Sequence, residues 1–141
     1  MKKITVLVSV LMSIALFTKA QCDKTIKWTA TKEDFLDSAG NLQNSQNETV
    51  EVTTTPTKVS IVRSAGVQTM QGDITNYSCK WKDKQNGKTV FNSLLLDSKE
   101  NKTRHATITI EAINGKTTIL LRAEEEGTVI KLNIDSFEEV K

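Results

Sequence analysis

The chain has one histidine, His105, so neither a catalytic dyad nor a multi-histidine metal site has a second imidazole to recruit. No Gly-x-Ser-x-Gly elbow and no Ser-x-x-Lys arrangement stands among its many serines and threonines. No cofactor motif is present, and no basic stripe marks a surface for nucleic acid. There is a single proline, Pro56, and after residue 20 no stretch of useful length carries a helical period. These absences exclude helical bundles and the familiar hydrolase signatures.

What is present begins with an address. Lys2 and Lys3 precede an apolar run from Ile4 to Phe17, and Thr18-Lys19-Ala20 then offers a small residue for cleavage. The run is too short to span a bilayer, which needs roughly twenty apolar residues. Residues 1–20 therefore read as a cleavable secretory signal of bacterial type, and residues 21–141 as one exported domain, periplasmic or secreted, with no membrane span of its own. Lipid attachment at Cys22 is the lesser alternative, because Lys19-Ala20-Gln21-Cys22 puts a charge where lipoprotein signals carry an aliphatic residue. Cleavage removes three lysines and no acid, so 19 basic against 17 acidic residues becomes 16 against 17. Near-neutrality gives no electrostatic reason to expect nucleic acid or an anionic membrane surface. In an oxidising compartment Cys22 and Cys79 are most simply a disulfide, with two free thiols as the alternative.

The rest of the chain speaks a β-sheet vocabulary of threonine, valine and isoleucine in short alternating runs. Asn114-Gly115 suits a two-residue turn whose central positions need positive φ. Folding there sets Ile110 opposite Ile119, Ile108 opposite Leu121 and Ala106 opposite Ala123. A loop over Glu124-Glu125-Glu126-Gly127 then brings Ile130 against Leu121, Leu132 against Ile119 and Ile134 against Thr117. Asn86-Gly87 is expected to repeat the device, with Cys79 opposite Leu94, Tyr77 opposite Leu96 and Trp81 opposite Asn92. Residues 26–30, 50–54 and 58–62 alternate as strands, Pro56 marks a turn between the last two, and residues 67–71 suit one more. Residues 34–48 read as a polar surface loop, preceded by a helical turn over 32–37, and residues 97–104 as a second polar connection. The expected fold is all-β: an antiparallel meander of about eight or nine strands, curled into a barrel-like or two-layer arrangement.

Such an exported meander is similar in architecture to the lipocalins. Their Gly-x-Trp signature at the first strand is absent, since residues 26–28 read Ile-Lys-Trp, so no family follows. Trp28, Tyr77, Trp81 and Phe91 are the rings set to fill the centre of the sheet or to line a ligand pocket. His105 reads as a solvated strand-end residue, and the Glu124–Glu126 run as a charged hairpin tip rather than a calcium loop. The functional expectation is a non-enzymatic exported domain that binds a small apolar ligand or an envelope partner. A structural protein of the cell envelope without a pocket is the alternative, and a small hydrolase or inhibitor the third reading.

Overall fold

A computed structural model describes residues 21–141 as eight strands in chain order: Ile26–Leu36 (β1), Leu42–Thr54 (β2), Lys58–Arg63 (β3), Gln68–Asp83 (β4), Asn86–Asp97 (β5), Lys102–Ile113 (β6), Lys116–Ala123 (β7) and Val129–Glu139 (β8). The expected leader, residues 1–20, lies outside the described residues. Each strand pairs antiparallel with the next, and β8 returns to β1, so the sheet closes into one barrel. Closure removes the edges that an open meander would leave along its first and last strands.

Asn114-Gly115 turns the chain as its residues require, with φ of 50° and 82°. The register that follows pairs Ile110 with Ile119, Ile108 with Leu121 and Ala106 with Ala123. Across the next turn Ile130 pairs with Leu121 and Leu132 with Ile119. That ladder ends at Thr118–Asn133, and Ile134 passes on to pair with Ala30 of β1. Period-two alternation thus places the isoleucine and leucine face inside the barrel, where Ile108, Ile110 and Ile119 are fully buried. Each such side chain contributes roughly 1.5–3 kcal/mol relative to staying in water.

The second reversal differs from expectation. The turn falls two residues earlier, at Lys84-Gln85, so Cys79 faces Thr89 and Trp81 faces Gly87 rather than Leu94 and Asn92. Asp83 explains the position, because its Oδ1 accepts the backbone N–H of Gln85 at 2.7 Å and nucleates the turn from its side chain. Gly87 serves a different purpose. A Cβ there would lie 2.2 Å from the Trp81 ring, so the glycine is the floor on which that indole rests. Asn86 Oδ1 accepts the Asn114 N–H at 3.1 Å, and the two turns dock on one another.

Tyr77 also departs from the expected inward face and stands 39% exposed. A bulge between Thr75 and Ser78, with Asn76 at φ 52°, switches the inward set of β4 from even to odd residues. Tyr77 falls inside that switch; Cys79 and Trp81 come after it and point in. Residues 34–48 are a third correction. They form a β-hairpin rather than a loop, and no helical turn precedes it: residues 32–35 of β1 pair with 44–47 of β2. Its β2 arm, residues 42–47, is solvated on both faces, so polar side chains satisfy it without an apolar stripe. Asp37 shapes its turn by accepting the N–H groups of Ala39 and Asn41 at 3.0 and 2.8 Å. Residues 97–104, expected as a connection, contribute only the short turn 98–101, and residues 67–71 run on into the long β4.

One end of the barrel is aromatic. Trp28 and Trp81 stack with centroids 6.3 Å apart, and Phe137 packs 5.1 Å from Trp28. Their indole N–H groups donate to Thr54 and Thr89 at 3.1 and 2.7 Å, which accounts for two threonines in an apolar interior. The Cys22–Cys79 disulfide ties the segment before β1 to β4 at this end. Outward positions carry Lys27, Glu51, Lys88, Glu111 and Arg122, so the wall is apolar inside and charged outside, the reverse of a lipid-facing barrel. Among the described residues no helix is long and apolar enough to cross a membrane.

Candidate functional site

The opposite end carries the turns 37–41, 64–67, 98–101 and 124–128, and its interior is charged. Inward alternation along β3 runs Val59, Ile61, Arg63, and along β5 Phe91, Ser93, Leu95, Asp97, so a charge terminates each apolar row. On β1 an irregularity between Ala30 and Lys32 turns Glu33 into the interior. Glu33 and Asp97 are 1% and 0% exposed.

These groups form one connected network. Arg63 donates to Glu33 at 2.5 Å, to Glu48 at 2.9 Å and to Gln68 at 2.6 Å. Gln68 in turn donates to Asp97 at 2.7 Å. Asp97 also accepts the N–H of Lys99 at 2.9 Å and lies 3.4 Å from Arg104, which further pairs with Glu100 and, at 3.1 Å, with Glu126. Ser64 Oγ donates to Glu48. Five carboxylates therefore surround two guanidiniums, and both guanidiniums are engaged in ion pairs.

The two buried acids are tuned in opposite directions. Burial pushes the Glu33 carboxyl above its usual range, because the Arg63 bond and charge only partly offset desolvation and Glu48 shares the same guanidinium. Burial acts on Asp97 as well and is the largest single influence. The Lys99 N–H, the Gln68 amide, the Glu100 N–H and the Arg104 charge together outweigh it and hold Asp97 below the usual range. Asp97 thus holds its charge to lower pH than an ordinary carboxylate, and Glu33 takes up a proton more readily than one.

Beneath the network lies a cavity of about 320 Å³. Met70, Leu95, Ala106, Leu121, Ala123 and Ile130 give it apolar walls, while Arg63, Gln68, Lys99, Glu100, Arg104 and Glu126 stand at its rim. Its space comes from sequence: Ala106 pairs with Ala123, two short side chains at a level where neighbouring pairs are isoleucine and leucine. An apolar chamber with a few convergent polar groups at its entrance is the ordinary form of a small-molecule site.

Two larger concavities are shallower and lie on the outside of the wall. One, about 800 Å³, runs along β3, β4 and β5 past the exposed Leu94 and Leu96 to His105. His105 is solvated there, although it lies within β6 rather than at a strand end, and contacts Glu125 at 2.7 Å. The other, about 860 Å³, borders the disulfide, Tyr77 and Trp81. Among the described residues no group of three or more His, Cys, Asp or Glu is placed to hold a metal ion.

The rings expected as ligand lining do not gather at this cavity. Trp28, Trp81 and Phe91 are buried in the barrel core, the two indoles stacked at the aromatic end, and Tyr77 stands on the outer surface. Sequence reasoning missed Arg63, Gln68, Asp97 and Arg104. The available signal was phase: Arg63 and Asp97 share the inward period of the apolar residues before them. No protein family, no curated protein and no solved structure matches the chain.

Proposed function

We propose that this chain is an exported, non-enzymatic binding domain whose barrel takes a small, mostly apolar ligand at its charged end. The observation that carries the reading is the cavity of about 320 Å³ between the Ala106–Ala123 pair and the arginine rim. Its volume sits at the small end of the range for ligand pockets, roughly 300–1,000 Å³. Both rim guanidiniums are already paired with carboxylates, so neither is free to hold an anionic head group, and the ligand class is neutral or basic at its polar end. The disulfide supports a life in an oxidising compartment, in keeping with the expected leader. Native mass spectrometry of gently purified protein tests the proposal. A bound mass that dissociates at high activation energy supports it; protein that is always ligand-free, and stays so after exposure to a library of small neutral and basic amphiphiles, contradicts it.

A second reading, an envelope interaction protein, is favoured by one feature. β2 pairs with β3 only from Val50 onward, so its residues 42–49 present a strand edge with β1 on the other side alone. That edge has no proline and its first charge is Glu48, which leaves it open to strand addition by another chain. Proline at Ser45 would abolish capture of such a partner and leave ligand binding intact.

A further inference from the structure

Gln21 is the first residue after the expected cleavage point, and its side chain is buried at 7% exposure. Its Nε2 has no hydrogen-bond partner, although a buried carboxamide ordinarily finds two. The next residue, Cys22, is also buried and is held to β4 through Cys79, so the segment cannot easily swing its first side chain into water. Cleavage after Ala20 would add a second liability, an α-ammonium charge brought to the same place. An unpaired ammonium and an unpartnered amide are both costly away from solvent.

We propose that Gln21 of the exported chain is a modification site, cyclised to pyroglutamate at the barrel's aromatic end. The α-amine attacks the residue's own side-chain Cδ. A bond forms between the amine nitrogen and Cδ, the Cδ–Nε2 bond breaks, and Nε2 leaves as ammonia with a proton from the amine. No redox change occurs and no co-reactant is consumed. The lactam carries no charge, and the nitrogen that leaves is the one the structure leaves without a partner. The product is a blocked chain end, packed beside the disulfide and closed to aminopeptidases. This inference rests on export and cleavage after Ala20, and is independent of the ligand pocket.

The test uses the full chain, exported by a bacterial host and recovered after cleavage. Intact mass should correspond to residues 21–141 with the disulfide formed and one ammonia lost. Pyroglutamyl aminopeptidase should release residue 21 only after reduction and unfolding, with at least a tenfold slower release from the native protein. A chain that begins at Gln21 and keeps its ammonia overturns the proposal, as does equally fast release from native and unfolded protein. A chain that begins elsewhere overturns it together with the cleavage point, and the same mass tells the two failures apart. Gln21→Ala should restore a free amine and digestion by a general aminopeptidase from the unfolded, reduced state.

Discussion

Ala106 and Ala123 face each other across β6 and β7, both buried, one rung beyond the Ile108–Leu121 level. Two methyl groups there leave the interior open above a barrel that Phe91, Trp28 and Trp81 otherwise fill. The space is therefore a property of two residues and can be closed by changing them. Ala123→Leu is predicted to raise stability by about 1 kcal/mol, as cavity-filling changes commonly do. An increase in the urea midpoint at constant slope checks it.

Trp81 and Gly87 are coupled more tightly. Gly87→Ala introduces a Cβ at 2.2 Å from the indole, and the ring cannot retreat without disturbing its stack on Trp28 or its bond to Thr89. Overpacking of this kind costs about 2–3 kcal/mol. Equilibrium denaturation should show the loss, and Gly87→Ala paired with Trp81→Phe should recover part of it if the clash is the cause.

Asp97 is the acceptor on which the charged end converges. Asp97→Asn is predicted to destabilise the domain by about 3 kcal/mol, because it removes a buried charge from beside Arg104 and confronts the Lys99 and Gln68 donors with an amide. Its pKa is lowered in the fold, so its contribution is present above the unfolded carboxylate value and fades as pH falls. The difference between wild type and variant should therefore shrink on acidification.

Glu33 runs the other way. Its folded pKa lies above the ordinary 4.5, so the native state binds its proton more tightly than the unfolded chain does. Stability linked to this group is greatest below that value and declines as pH rises through the folded pKa. Thermal melts at a series of pH values should show Glu33→Gln gaining on wild type as pH rises through that window. A constant difference would mean that Arg63 fully compensates the burial.

The disulfide spans 57 residues of sequence. Replacing both cysteines by serine should cost about 4 kcal/mol on the loop-entropy account. Denaturation of the double variant against the oxidised protein measures it.

The extent to which this architecture could be read from sequence follows from how far each residue type constrains the backbone. Asn114-Gly115 demands positive φ, and its register can be checked against a sharply two-faced ribbon, so β6, β7 and the start of β8 are legible to the residue, up to Ile134, which leaves Thr117 for Ala30 of β1. Asn86-Gly87 carries the same dipeptide, yet Asp83 forms the turn first and Gly87 answers a packing need of Trp81 that no local pattern reveals. The bulge at Asn76 flips the phase of β4, so strict alternation back from Trp81 and Cys79 puts Tyr77 on the inner face although it stands outside. The hairpin over 32–47 is hidden in the sequence because its β2 arm, solvated on both sides, has no alternation to display. The cavity was invisible for a related reason: an alanine pair reads as small core, and only the closed barrel shows that Met70, Leu95 and Ile130 fail to fill what it leaves.

Fluorescence titration with phenyl-naphthylamine asks whether the space beneath Arg63 and Arg104 receives the small neutral or basic apolar molecule proposed for it. Saturable one-to-one enhancement is expected with wild type, with weaker binding of the sulfonated anionic analogue and loss of both signals in the Ala106→Leu/Ala123→Leu variant that remains folded. Equal enhancement in wild type and the filled variant, or preference for the sulfonated dye, would contradict it.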